Sequence, residues 1–179
     1  MEKTDWEKAV EFHGHSCPGL AIGYKAAVAA QEKMGIRFSA DEEIVCVTEN
    51  DACGVDAVQL LTGCSFGKGN LIYRGTGKMA FSFFNRKNGE SLRMILKPFQ
   101  GEMSREERQA YILNAPADEI FNFMKPGFTL PETARIFTSI ACESCGEGAP
   151  EHKMRLQEGK KVCLDCFKKY DRGWKMDLY

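Results

Sequence analysis

Residues 12–19 read FHGHSCPG, and this stretch decides how the rest of the chain is arranged. Pro18 suits the first position of a helix, because its missing N–H would have no intrahelical partner there. We therefore predict that Cys17 lies at or near the N-cap of a helix that continues through the alanine-rich segment 20–34. The exposed amides and positive end of a helix favour the thiolate of such a cysteine, which is both the nucleophilic and the metal-binding form.

Two imidazoles precede this cysteine at alternate positions. If the segment before Pro18 is extended, the side chains of His13, His15 and Cys17 lie on one side of the chain and converge. Nitrogen and sulfur donors of this kind are typical ligands of zinc, nickel, copper and iron. The pattern therefore predicts a metal site, and the alternative is a reactive Cys17 thiolate with His13 as its base.

A second cysteine motif follows the segment 43–49, whose β-branched residues predict a buried strand. Cys53 comes after this strand and shortly before a predicted helix over 55–62. If sheet and helix packing bring Cys53 to Cys17, the two thiols and His15 form a three-ligand site with an open fourth position. An open position is typical of a catalytic metal rather than a structural one.

The side chains around these ligands have alternative roles. His13 is either the fourth ligand or a base beside the metal. Asp51 or Asp56 can orient an imidazole, and for Asp51 we favour a helix cap. Cys64 is either a further ligand or a packing residue of its loop, and Cys46 is expected in the core.

The bulk composition is that of an ordinary soluble globular protein. The 179 residues are 44% hydrophobic and 27% charged, enough for one core and a small appended module. A net charge of -1 indicates neither nucleic acid nor an anionic membrane as a partner. No apolar run approaches the roughly 20 residues that span a bilayer, and the first residues lack a secretory apolar segment. Eight cysteines without an export signal favour a reducing compartment, so we expect the cytoplasm.

The remaining pattern predicts an α+β core followed by a small second domain. Helices are predicted over residues 5–12, 20–34, 55–62, 104–113 and 116–124, and strands over 43–49, 71–74, 78–85 and 92–97. Asn88-Gly89 is a hairpin signal, so we expect an antiparallel sheet with one face on the helices. A linker from Pro126 to Pro131 separates the core, residues 1–135, from a domain over residues 136–179.

Four cysteines near the end of the chain have the spacing of a four-thiolate zinc site. They form two C-x2-C pairs with seventeen residues between them: Cys142, Cys145, Cys163 and Cys166. We predict a structural zinc in a treble-clef or ribbon module, with a short helix over 163–170. From residue 151 onward, eight basic and five acidic residues give +3, and a four-thiolate zinc site contributes about −2. This weak charge leads us to expect protein contact rather than nucleic acid.

Two motifs in order resemble the FmdE family, which is named for the E subunit of formylmethanofuran dehydrogenase. They are HGHSCPG at residues 13–19 and NDACGVDAVQLLTGCSFGKGN at residues 50–70. The C-terminal cysteine pairs, with Arg155-Leu156 between them, resemble the DksA/TraR-type zinc finger. The FmdE resemblance implies an α+β core, a homodimer and a metal or redox-reactive site. Its shared residues fall on His13, His15, Cys17, Cys53, Asp56 and Cys64.

The resemblance does not carry the enzyme's reaction with it. Formylmethanofuran dehydrogenase reduces carbon dioxide onto methanofuran, and its E subunit has no established chemical role in that step. This chain supplies no molybdopterin or iron–sulfur framework of its own. We therefore expect a metal-binding subunit or accessory protein of one-carbon or redox metabolism, within a larger enzyme complex. The alternatives are a metal-delivery or partner-docking protein without catalysis and, less favoured, a zinc-finger transcriptional regulator.

Overall fold

The computed structural model describes residues 2–170 of the chain. These residues fall into two compact units, of which the first ends at Ala134 and the second begins at Arg135. Among the described residues, no helix is both long enough and apolar enough to cross a membrane.

The first unit is an α+β fold, which confirms the predicted class. Its elements in chain order are α1 (Asp5–His13), α2 (Pro18–Met34), β1 (Ile44–Thr48), α3 (Gly54–Thr62), β2 (Leu71–Tyr73), β3 (Ala80–Asn85), β4 (Ser91–Leu96), α4 (Arg105–Asn114), α5 (Ala117–Ile120) and β5 (Phe121–Met124). The helix α2 begins at Pro18 and has Cys17 as its N-cap, as the sequence predicted.

The five strands form one sheet in the order β2-β1-β3-β4-β5. The pairs β1–β3, β3–β4 and β4–β5 are antiparallel, so the predicted antiparallel sheet is correct over most of its width. The strand β2 is the exception, because it pairs with β1 in parallel. The helix α3 lies between β1 and β2 in the chain and supplies the crossover that a parallel pair needs.

The predicted helix over residues 116–124 is wrong in its second half. The helix α5 ends at Ile120, and β5 then pairs along β4 at the edge of the sheet. Alternate side chains explain the change, since Phe121 is buried, Asn122 is exposed and Phe123 is half-buried. This period of two fits a strand with one covered face better than a helix.

The helix α2 is the centre of the packing, and it crosses α3 with backbone against backbone. A Cβ atom built on Gly23 would lie 1.8 Å from the carbonyl oxygen of Gly54. A Cβ atom on Gly54 would lie 2.9 Å from the backbone nitrogen of Gly23. No side chain fits between the two helices here, so the small residues predicted to allow close packing do so. The crossing places the N-cap residues Cys17 and Cys53 at neighbouring helix ends.

The second unit is built from two β-hairpins. Its strands are β6 (Ser139–Ala141), β7 (Gly148–Pro150), β8 (Arg155–Gln157) and β9 (Lys160–Val162), paired antiparallel as β6–β7 and β8–β9. The helix predicted over 163–170 is not formed, because residues 164–166 make a turn and residues 167–170 are irregular. The unit therefore corresponds to the ribbon part of the prediction.

The helix crossing predicts the effect of one added methyl group. We expect Gly23→Ala to lower the free energy of unfolding by about 2 kcal/mol or more, because the methyl group must push two backbones apart. Chemical denaturation of the full chain measures this loss. Gly127→Ala is the control, since its Cβ atom meets nothing within 4 Å. Equal unfolding midpoints for the two variants would contradict the crossing described here.

Candidate metal centres

The four cysteines of the second unit converge on one point. Their sulfur atoms all lie within 4.8 Å of one another. The sulfurs of Cys145 and Cys163 are 3.9 Å apart, and two thiolates on a tetrahedral zinc lie about 3.8 Å apart. The donor set and its spacing therefore fit zinc.

Backbone amides prepare one of these sulfurs for a metal. The N–H groups of Ser144 and Cys163 donate to the sulfur of Cys142 at 3.4 Å and 3.3 Å. Hydrogen bonds from the backbone at Cys145 and Cys163 lower the pKa of Cys142 to about 6. Cys142 is therefore largely a thiolate at neutral pH, which is the form that binds zinc.

The first unit brings a second group of donors together from three elements. Ligand atoms of His13, Cys17 and Cys53 all lie within 4.8 Å of one another. His13 is the last residue of α1, while the two cysteines cap α2 and α3. Gly19 leaves space for the thiols, because a Cβ atom there would lie 3.3 Å from the Cβ atom of Cys53 and 3.9 Å from the sulfur of Cys17.

The two thiols of this group differ in their surroundings. The sulfur of Cys17 accepts a hydrogen bond from the backbone N–H of Leu20 at 3.3 Å. The sulfur of Cys53 makes no such cap bond. Burial raises the pKa of Cys53, and the adjacent Cys17 thiol raises it further. A cation between the two sulfurs would favour the thiolate of Cys53 and so displace its proton.

The imidazole of His13 has the environment of a metal ligand. Its Nδ1 atom lies 2.7 Å from Oδ2 of Asp56, so the carboxylate holds a proton on Nδ1 and leaves the lone pair on Nε2. The Nε2 atom is buried and has no hydrogen-bond partner among residues 2–170. A carboxylate behind a histidine is the usual arrangement at protein metal sites. The side chains present therefore fit a transition metal with one nitrogen and two sulfur ligands.

The grouping differs from the sequence interpretation at the histidines. The sequence placed His15 with the two thiols, whereas the structure groups His13 with them. His15 is exposed, and its ring centre lies 4.5 Å from that of His13. The reason is Gly14, which ends α1 in the left-handed conformation (φ 89°) and turns the chain. The assumption of an extended segment before Pro18 therefore does not hold.

The remaining candidates lie outside both groups. Cys64 is fully buried and donates from its sulfur to the carbonyl of Ile44 at 3.5 Å. Burial raises the pKa of Cys64 to about 11, so it is a packing residue. Cys46 is buried in the core, as predicted. Asp51 does not cap α3 as we favoured; the backbone N–H of Ala52 bonds instead to the side chain of Asn50.

The core group borders a cleft of about 500 Å³. The cleft is lined by His13, Thr48, Asn50, Asp51, Ala52, Cys53, Val55, Asp56, Gln59, Phe66, Leu71 and Tyr73. Sequence reasoning missed the contributions of Phe66 and Tyr73, which lie in a loop and at the end of β2. Only the fold brings these positions to the cysteines, so no local pattern identifies them.

Comparison with protein families gives two matches along the chain. Residues 12–122 match the model of the FmdE family, described as "Molybdenum formylmethanofuran dehydrogenase operon". Residues 135–172 match the prokaryotic DksA/TraR C4-type zinc finger. The second match and the four clustered thiols together support a structural zinc in the second unit.

Two individual proteins are also similar to this chain. The crystal structure of an FmdE-like protein of tungsten formylmethanofuran dehydrogenase from Syntrophus aciditrophicus is 28% identical, with a TM-score of 0.61. The match covers 90% of this chain and 91% of that one. A "Probable S-adenosyl-L-methionine-binding protein" of Archaeoglobus fulgidus is 31% identical over 91% of this chain. The match spans 52%, or about half, of that longer relative.

The contact between His13 and Asp56 predicts that the carboxylate tunes metal affinity. We expect Asp56→Asn to weaken metal binding at the core group by about 10- to 100-fold, because a neutral amide no longer fixes the imidazole. Competition with a chromogenic chelator measures both sites in the full chain.

The zinc of the second unit serves as an internal reference in that experiment, and Asp118→Asn is the matched control on α5. Equal core affinities in Asp56→Asn and Asp118→Asn would rule out a supporting role for Asp56.

Proposed function

The chain belongs to the FmdE family, and we propose that its core holds a transition-metal centre on His13, Cys17 and Cys53 with a fourth position facing the cleft. The observation that carries this proposal is the buried Nε2 atom of His13, which has no hydrogen-bond partner among the described residues. A structural zinc has four protein ligands, whereas three ligands beside a cleft are typical of a working centre. Zinc fits the donor set, and other borderline metals share these preferences.

The chemistry of such a centre is divided between the ion and the chain. A bound zinc ion would polarise an oxygen ligand or lower the pKa of a bound water. The carboxylate of Asp56 keeps the proton of His13 on Nδ1. Gly19 preserves the space between the two thiols. The apolar side chains of Val55 and Leu71 limit water in the cleft, which strengthens polar interactions with a ligand.

For the cellular role, we propose a metal-binding subunit or accessory protein of one-carbon or redox metabolism. The family description and the name of the structurally similar protein support this context. We further propose that the protein is a cytoplasmic homodimer that docks, through its zinc finger, onto a larger enzyme complex. These finer statements rest on similarity and on the cysteine content of the chain. The alternative is metal delivery, in which the core site is closed by a fourth protein ligand.

A second candidate is binding of S-adenosylmethionine in the same cleft. The name of the archaeal relative suggests this ligand, and that relative is about twice as long as the aligned region. The cleft of about 500 Å³ lies within the size range of small-molecule sites. The exposed rings of Phe66 and Tyr73 offer flat surfaces to a purine.

Cobalt substitution tests whether the core site is open. We expect the visible spectrum of the Co²⁺-loaded full chain to shift when azide is added, because a three-ligand centre exchanges its fourth ligand. The four-thiolate finger is closed and does not respond. Cys53→Ser is the control and removes the azide-dependent shift.

Two other results separate the alternatives. A core cobalt signal that azide leaves unchanged supports a closed delivery site. A shift on addition of S-adenosylmethionine places that ligand next to the metal and supports the second candidate.

A further inference from the structure

We infer that the cleft beside the core site selects a ligand that carries a positive charge, and that Asp51 is the residue that selects it. This inference rests on the proposed function, since it concerns the ligand of the same cleft. It goes further by stating the chemical class of that ligand, an organic cation.

The charged residues that line the cleft are acidic. Asp51 and Asp56 line it, and no lysine or arginine does so among residues 2–170. The proposed centre does not reverse this charge, because a divalent ion on two thiolates and a neutral imidazole is neutral overall. A ligand in the cleft therefore meets two carboxylates, and an anionic ligand meets like charge.

Cations on the neighbouring loop and strand are directed elsewhere. The ammonium group of Lys68 donates to the carbonyl of Ser39 at 2.7 Å. The guanidinium of Arg74, directly after β2, lies over the ring of Phe128 at 4.7 Å. Neither side chain is part of the cleft lining. The carboxylates are thus not neutralised from these two positions.

Two aromatic rings form a rim beside the carboxylates. Phe66 is 76% exposed and Tyr73 is 51% exposed, and both rings border the cleft. The face of an aromatic ring attracts a cation, and rings beside carboxylates are the usual setting for quaternary ammonium recognition. The aromatic and acidic parts of the lining therefore favour the same class of ligand.

The two carboxylates differ in their freedom to meet a ligand. Asp56 is held by Nδ1 of His13 at 2.7 Å. Asp51 is exposed and makes no hydrogen bond or ion pair with the described residues. Asp51 is therefore the carboxylate available to a bound cation, and its removal leaves the metal ligands and their support in place.

A matched pair of probes tests the inference without metal coordination by the charged group. Choline and 3,3-dimethylbutan-1-ol have the same shape, but the quaternary nitrogen of choline is a neutral carbon in the alcohol. NMR titration of the zinc-loaded full chain measures both dissociation constants. We expect choline to bind at least about fivefold more tightly, from one partly exposed charge pair and the aromatic rim. Asp51→Asn reduces this preference to about twofold or less, whereas the remote control Glu106→Gln retains it.

The failures of this inference and of the proposed function are distinguishable. Absent choline binding, equal binding of the two probes, or an unchanged preference in Asp51→Asn would overturn the inference. Tyr73→Leu gives a second check, since loss of the ring also weakens choline more than the alcohol. Zinc content is measured on the same samples. One zinc per chain with the preference retained overturns the core metal centre and leaves the cation selection standing.

Discussion

The contact between Gly23 and Gly54 is the constraint on which the rest of the core depends. Because neither residue has a side chain, α2 and α3 meet at backbone distance, and their N-terminal ends come together. The helix ends carry Cys17 and Cys53, which are far apart in sequence and close only in this packing. The helix α1 then adds His13 from its own last turn. A site of three ligands therefore follows from one helix crossing and one helix end.

The two metal centres illustrate two ways of arranging soft ligands. In the second unit, four cysteines on two β-hairpins surround one point, and backbone N–H groups point at the sulfur of Cys142. Such a small unit lacks a large core, so the ion itself contributes folding free energy. In the first unit, a buried core holds the helices, and the ligand group borders a cleft. There the fold supports the ligands, which leaves a metal position free for chemistry.

Much of this arrangement was accessible from the sequence, and the remainder has identifiable physical reasons. Pro18 and the cysteine spacings predicted the start of α2 and the four-thiolate group, because these depend on local geometry. The position of His13 was not predictable by alternation, since Gly14 turns the chain with a positive φ. Neither the strand β5 nor the approach of Asp56 to His13 has a local signal. Both are set by long-range packing, namely the sheet edge offered by β4 and the contact of α1 with α3.

The central claim is that one chain holds two metal ions, and metal content tests it most directly. The measurement compares wild type with Cys17→Ser, both purified without added metal and analysed by plasma mass spectrometry against protein concentration. We predict close to two metal ions per chain in wild type and close to one in the variant, because the four-cysteine site is unaffected. One metal ion in both proteins would contradict the claim and would leave His13, Cys17 and Cys53 as a thiol or packing cluster.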